Sequence, residues 1–579
     1  MTSFPASQCG SLKDVQPRES RGKTTGVDLY APPAPVFRMP TATQTSTRDR
    51  FPGGGATPFP THEIPTWKTR GGGLTAHAIT GANPRCTTAE CTLPPTVPQP
   101  ALCLSARLAG STVSQLLYPT RTAPTMTLTT SHFLPSDRQQ VWNWHTRPGA
   151  VVRLTAPFTY MTPVEQASNL RDGKTVFAMP AGLRWVAQHR PDGYRDGHQF
   201  TDEVVSHPFA AATRWVHRHT FSTDSGGTII TDRVATTVPG FVLTAPFAYR
   251  QHQLIADFAF LKRLGHWAGG LDTTATVAVT GSSGTVGRQL TAQLSTLGFS
   301  VIKLVRSHPA AGERLWNPDN PDPDLLQGTR ALIHLAGAPI AGRFTTEHQQ
   351  AVRDSRVRPT EKLAELVART PSVDTMVSAS AVGYYGADRG EEKLSESSSS
   401  GDDFLAAVCR DWEKATAPAE AAGKRVVRVR TGLVLAGNGG LLPILRHVFL
   451  TGFGGRIGSG NAWFPWIAID DLTDIYIRAT FDDSLTGPIN AVAPNPVRNK
   501  TMSKKLAAVL HRPALVPVPR WAPGIVLGAE GAQQTALSNQ RVVCTALDSA
   551  GHQFRYPSIT GCLAHELGAE KPVGVKNTG

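Results

Sequence analysis

The sequence predicts an α/β protein: a doubly wound parallel sheet in its second half, preceded by an α+β unit. Three observations predict it. From Thr276 onward, short β-branched runs alternate with amphipathic helical stretches, the pattern of βαβ units and hence of parallel strands. A glycine-rich turn from Gly281 to Gly287 stands between the first such strand and the first such helix. Upstream, from about Thr127 to Leu264, strands and turns follow one another and end in one long helical pattern.

Ahead of both units lies a segment of different composition. Residues 1–125 hold 17 of the 45 prolines and 4 of the 7 cysteines, with 12 Lys/Arg against 6 Asp/Glu. They carry no sustained periodicity of 3.6 or 2, so they are expected to be disordered, because such a composition buries too little apolar surface to offset chain entropy. Met126 stands just before the first well-patterned sequence and is read as the start of the folded part. The net charge of +14 divides accordingly, +6 in this segment and +8 over the remaining 454 residues. That dilution, with no helix-turn-helix, zinc or basic-aromatic strand motif, argues against a nucleic-acid partner. No apolar run approaches the ~18 residues of a membrane span. With no secretory signal visible and few cysteines, a cytoplasmic location and no metal site are expected.

In the α+β unit, 126–268, Val204–Arg214 and Thr228–Val238 read as strands about the Asp224-Ser-Gly-Gly227 turn signal. Phe247, Leu254, Phe258 and Leu261 fall at helical spacing after Pro246, a plausible helix start. With its Val141-Trp-Asn-Trp-His145 helix and Pro148-Gly149-Ala150 turn, this stretch resembles the START-like, polyketide-cyclase or lipid-transfer group. The resemblance implies a curved sheet around a long helix, with an apolar ligand held between them. His217 and His219 lie two apart and face one side of a strand; they could line a cavity, but are read as exposed or core-edge histidines.

In the second half, Thr276-Val-Ala-Val-Thr280 suits a strand buried on both faces. Gly281-Ser-Ser-Gly284-Thr-Val-Gly287 follows, and then Val286, Leu290, Leu294 and Leu297 recur at helical spacing up to Gly298, a natural C-cap. Strand, glycine turn and helix in this order suit a dinucleotide. The glycines permit close backbone approach, and the helix N-terminus offers N–H groups to a pyrophosphate. Gly281, Gly284, Thr285, Val286 and Gly287 are therefore expected cofactor contacts. The next strand, Ser300–Val305, ends in Arg306 and Ser307, where an NAD site often places an acidic residue. A cation and a hydroxyl there suit a 2′-phosphate, so NADP(H) is favoured over NAD(H). Ala331–Leu335, Thr375–Ala379 and Arg425–Val429 read as further strands, with helices at Glu347–Arg369 and Asp403–Ala422 between them. Leu335, Ala336 and Gly337 lie on the strand edge where ligands bind.

Several motifs then occur in order: Thr280–Gly287, His334-Leu-Ala-Gly337, Asp354-Ser-Arg356, Ser378–Gly386, Asp403–Glu413, Arg430-Thr-Gly-Leu-Val434, Gly458–Trp463 and Trp466-Ile-Ala-Ile-Asp-Asp471. Together they resemble the atypical short-chain dehydrogenase/reductase group called epimerase family, or NAD-dependent epimerase/dehydratase, proteins. The resemblance runs from about Thr276 to Leu567. It implies a Rossmann-like NAD(P)-binding domain over 274–515, a small C-terminal domain over 516–567 and a small-molecule substrate. It also implies Arg356 beside the cofactor loop.

The wider superfamily implies a Tyr-x-x-x-Lys pair on the helix after the Ser-bearing strand. This chain departs from it. None of its nine tyrosines has Lys four residues later, and Leu405 and Cys409 occupy the pair's positions. Ser380 matches the family serine, Tyr384 or Tyr385 offers a hydroxyl of suitable chemistry, and Glu413, an acid/base only if buried, is read as a structural partner near the helix end; Ser380 and Tyr385 are the expected catalytic pair. The expected activity is that of an NADP(H)-dependent oxidoreductase or epimerase-like enzyme. The rival is an NADP(H) sensor or ligand carrier without turnover.

Overall fold

The computed structural model describes residues 126–574; the proline-rich segment 1–125 lies outside them. Seven antiparallel strands open the fold: Met126–Leu134, Thr162–Glu165, Lys174–Ala178, Arg184–His189, Gln199–Val204, Val216–Asp224 and Gly227–Ala235. Their spatial order is first, seventh, sixth, fifth, fourth, third, second. The Asp224–Gly227 turn joins the two longest neighbours in register, Asp224 opposite Gly227. The stretch expected as one strand over Val204–Arg214 instead leaves the sheet at Val204 and takes a helical turn at Phe209–Thr213. Pro208 has no N–H for a ladder, and the alanines after it favour helix.

A 28-residue helix, Gly240–Trp267, follows the sheet; at 1.5 Å per residue it is about 42 Å long. It begins six residues before Pro246, which sits inside it. Leu254 and Phe258 of this helix pack with Phe200, Phe221 and Ile230 of the sheet and with Val141, Trp142 and Trp144 of the short helix Arg138–Thr146. The interior is not wholly apolar. His132, His145, His189, His217, His219, Asp202 and Asp232 are all buried in this unit. The two histidines read as core-edge are therefore interior residues.

The second half is a Rossmann-like parallel sheet. Its strands are Thr276–Thr280, Ser300–Val305, Glu313–Leu315, Ala331–His334, Thr375–Ala381, Arg425–Thr431 and Gly487–Ala491. Their spatial order is third, second, first, fourth, fifth, sixth, seventh, and every pairing is parallel. The order reverses between the first and fourth strands, which is where ligands bind in such sheets. Both long helices expected from periodicity are divided. Thr346–Asp354 and Val357–Arg369 break at Ser355–Arg356; Phe404–Lys414 and Ala417–Ala421 break at Ala415–Thr416. Pro359 and Pro418 explain this, since a proline ring collides with the helical carbonyl four residues earlier, at Ser355 and at Lys414.

One core joins the two halves. Phe260 and Leu264 of the 28-residue helix pack with Val277, Val279, Leu290 and Leu294 of the first βα unit and with Ile475 of the helix Ile469–Phe481. A buried ionic network runs beside it. Arg153 pairs with Asp257 and with Asp470, each at 2.6 Å, and Arg555 pairs with Asp257 at 2.7 Å and Asp474 at 2.6 Å. Among the described residues, no helix is long and apolar enough to cross a membrane.

Candidate functional site

The site begins at the carboxyl end of the first parallel strand. Gly281 has φ +70°, and a Cβ there would stand 2.9 Å from the Ala336 nitrogen and the Leu335 carbonyl carbon. Gly287 lies so close to the turn that a Cβ would meet the Gly281 oxygen at 2.2 Å. These two positions need glycine for different reasons, conformation and close approach. The Gly284 N–H donates to the Gly281 oxygen at 3.1 Å and closes the turn. Helix Thr285–Leu297 then starts with no side-chain cap and no acidic residue in its first turn. Its positive end is left for an anion.

Thr280 ties this turn to the neighbouring strand. Its buried hydroxyl oxygen accepts the N–H groups of Leu335 and Ala336 at 3.1 and 3.2 Å and lies 2.7 Å from His334 Nδ1. Burial pushes the His334 imidazole down to about 3, so it is neutral. The motif His334-Leu-Ala-Gly337 thus holds the backbone of 335–337 against the glycine turn.

Arg356 stands behind the same strand edge. Its guanidinium is buried, donates to the carbonyls of Val352 and Ala338 at 2.9 Å each, and lies over the Trp412 ring at 5.2 Å. A Cβ on Gly337 would come within 3.1 Å of its guanidinium carbon. No carboxylate pairs with Arg356 among the described residues, and burial holds its pKa below the usual arginine value. Arg306 and Ser307 are exposed at the end of strand Ser300–Val305. Arg288, on the first turn of the helix after the glycines, lines a cavity of about 540 Å³ with Ser282, Ser283 and Lys303. Neither Arg306 nor Arg288 forms an ion pair among the described residues.

The expected pair, Ser380 and Tyr385, is linked indirectly. The Ser380 hydroxyl donates to Glu413 Oε1 at 2.6 Å; Glu413 is held by Arg430 through two bonds of 2.8 Å. Arg430 then donates to the Tyr385 hydroxyl at 3.0 Å, and that hydroxyl donates to Asn490 Oδ1 at 2.7 Å. Tyr385 is fully buried, and burial pushes its phenol up to about 12. Its one proton is committed to Asn490, so the structure gives it a supporting position behind Ser380. The spacing of the sequence carried no sign of the Glu413–Arg430 pair, whose members come from a helix and a strand 17 residues apart. Cys409 is buried, and its thiol is pushed up to about 12 by burial; it is protonated at neutral pH. Asp470 and Asp471, at the start of the helix Ile469–Phe481, are buried partners: Asp470 of Arg153, Asp471 of the backbone N–H groups of Arg555 and Tyr556.

Comparisons with known proteins bear on the family of the second half of the chain. Residues 277–487 match the NAD dependent epimerase/dehydratase family, and residues 518–566 match a domain of unknown function, DUF1731. An epimerase family protein of Mycobacterium bovis is 39% identical over 295 residues, 50% of this chain and 97% of that protein. A chloroplastic epimerase family protein of Arabidopsis thaliana is 36% identical over 304 residues, 50% of this chain and 86% of that protein. The crystal structure of the nucleoside-diphosphate sugar epimerase from Corynebacterium glutamicum is 52% identical with a TM-score of 0.69. It covers 77% of this chain and 91% of its own.

Proposed function

We propose that this chain, which belongs to the epimerase family, binds NADP(H) across the Gly281–Gly287 turn and passes hydride to or from a small molecule beside Ser380. The observation that carries this reading is the uncapped helix at the reversal of strand order, with an unpaired cation, Arg306, just beyond the next strand. The pyrophosphate would lie against the backbone of Gly281 and Gly284 and on the N–H groups of Thr285, Val286 and Gly287. Leu335, Ala336 and Gly337 would line the path of the cofactor, with Arg356 supplying positive charge from behind. Arg306 and Ser307 would hold the 2′-phosphate, since a planar guanidinium forms paired bonds to phosphate oxygens.

In this reading the bound cofactor supplies the hydride, and the chain supplies the proton path. Ser380 orients the reacting oxygen of the substrate, and Glu413 takes up or returns the serine proton. Arg430 orients the Glu413 carboxyl through two hydrogen bonds, and Tyr385 with Asn490 fixes Arg430. The front unit is read as a START-like module that presents an apolar ligand to the cleft. Its support is the antiparallel sheet packed on one long helix.

A second reading, a cofactor-binding sensor or carrier without turnover, is favoured by one observation. Leu405 and a protonated Cys409 stand where the wider superfamily places its Tyr and Lys. Titrations of NADPH and NADH into the protein and its Arg306→Ala variant test the cofactor assignment. The expected result is tighter NADPH binding, weakened about 10-fold or more by the substitution as one charge-assisted contact of about 1.5–3 kcal/mol is lost, with NADH unchanged. Equal affinities that the substitution leaves alone overturn it.

A further inference from the structure

We infer that the front unit binds a divalent first-row transition-metal ion through Asp202, His217 and His219, with Asp232 orienting the two imidazoles. The sheet register assembles the set. His217 and His219 alternate on strand Val216–Asp224 and so point to the same, inner face. Asp202 stands opposite His217 on one neighbouring strand, and Asp232 opposite His219 on the other. Each of the four side chains is no more than 12% exposed.

The distances sort the contacts into two kinds. Asp232 Oδ1 forms a hydrogen bond of 2.9 Å with His217 Nε2 and lies 2.9 Å from His219 Nδ1, a contact by distance without hydrogen-bond geometry. One carboxylate oxygen thus faces one nitrogen of each ring, and the other nitrogen of each ring is turned toward Asp202. Asp202 Oδ2 lies 3.4 Å from His219 Nε2 and 3.7 Å from His217 Nδ1. Those separations are long for N–H···O bonds, whose range is about 2.7–3.2 Å. They suit neighbouring ligands of one ion: bonds of about 2.0–2.1 Å in a tetrahedral site put ligand atoms about 3.3–3.4 Å apart. An imidazole whose far nitrogen is held by a carboxylate is the usual outer arrangement of a histidine metal ligand. Two histidines with one carboxylate suit zinc, iron or cobalt rather than calcium or magnesium.

Charge points the same way. Asp202 and Asp232 bring two negative charges into the interior, and Arg250, 3.8 Å from Asp232, brings one positive charge. Two buried aspartates thus share one arginine at the side of the cluster away from Asp202. His132, 1% exposed on an adjoining strand, has no hydrogen-bond partner for either ring nitrogen and lies within the electrostatic reach of Asp232. A bound cation satisfies the acidic pair where a second basic side chain does not.

The inference is independent of the cofactor reading and has its own test. The full chain is expressed in zinc-supplemented medium, passed over a weak chelating resin, and its metal measured by mass spectrometry. Cobalt(II)-loaded protein is examined for visible ligand-field bands. The expected result is close to one equivalent of metal and a cobalt spectrum of a four-coordinate nitrogen–oxygen site. The joint His217→Ala and His219→Ala variant should fall below about 0.1 equivalent, and Asp232→Asn should weaken metal affinity about 10- to 100-fold. His552→Gln, in the rear half, should retain the metal. Less than about 0.1 equivalent in the wild type with no cobalt bands overturns the inference, whether or not the variants fold. Metal retained in full by the double histidine variant also overturns it. A proton shared between the imidazoles and the carboxylates is then what balances the cluster.

Discussion

At the scale of single residues, the glycines were legible and the supports behind them were not. Gly281 and Gly287 announce themselves because only a glycine tolerates φ +70° or a carbonyl oxygen at 2.2 Å from a Cβ position. Thr280 carries no comparable signal, since a threonine at a strand end is ordinary. Its hydroxyl nonetheless holds two N–H groups of the facing loop. Thr280→Val should leave both N–H groups unpartnered, cost about 1–3 kcal/mol in urea unfolding and weaken NADPH binding. Unchanged stability and affinity would show the hydroxyl to be incidental. Tyr385 was chosen for its phenol, but its surroundings define a different task. Tyr385→Phe should cost about 1–3 kcal/mol while leaving Ser380 in place. Ser380→Ala, by contrast, should lower hydride exchange from NADPH with a panel of ketones and quinones about 10²-fold or more, with the NADPH Kd held within about twofold. Full exchange in Ser380→Ala, or its complete loss in a folded Tyr385→Phe, reverses these roles.

At the scale of elements, periodicity located the strands that flank the cofactor turn, because those strands are buried on both faces and their β-branched runs are unmistakable. It missed Glu313–Leu315 and Gly487–Ala491, three and five residues long at the two sheet edges, which carry too few apolar residues for a pattern. It fused helices where a proline sits in the following turn, as at Pro359 and Pro418. The resemblance of 126–268 implied an apolar cup, while alternation shows which side chains face inward but not that inward histidines meet aspartates across two registers. The helix Ile469–Phe481 is the clearest case of tertiary override. Asp470, Asp471 and Asp474 are all buried, positions that a sequence pattern assigns to solvent or to a cap. Arg153 and Arg555 compensate them. Arg153→Met should cost about 3–5 kcal/mol, since it leaves Asp257 and Asp470 with one buried cation fewer. A loss below about 1 kcal/mol in urea titrations would mean that water or rearranged side chains serve as well.

At the scale of the whole molecule, buried ionisable groups set opposing limits on stability. Burial holds His132 at about 4 and His145, His334 and His552 at about 3. These folded values lie below 6.5, so the stability is whole above that pH and falls as the pH drops toward 3–4. The loss is about 1.4 kcal/mol per pH unit for each histidine. On the alkaline side, Asp471 and Glu566 are raised to about 7 by burial, and His565 to about 9 by Asp470 and Glu570 against that burial. Groups raised in this way favour the protonated folded state: the contribution of the two carboxyls is lost as the pH rises from about 4 to 7, and that of His565 from about 6.5 to 9. The urea midpoint should therefore peak near pH 6 and fall on both sides; a midpoint flat from pH 4.5 to 8.5 contradicts this balance. Net charge, the most visible feature of the whole sequence, is a weak guide, because in the proposed reading cations act by position: Arg306 at a strand end, Arg356 behind a glycine, Arg430 behind a serine. The central claim is that these positions converge on one NADP(H). A crystal structure of the protein soaked with NADPH tests it most directly. The account predicts the pyrophosphate on the Gly284–Gly287 backbone, the 2′-phosphate within hydrogen-bond reach of Arg306, and the nicotinamide facing Ser380. Density for the cofactor elsewhere, or a 2′-phosphate that Arg306 does not touch, contradicts it.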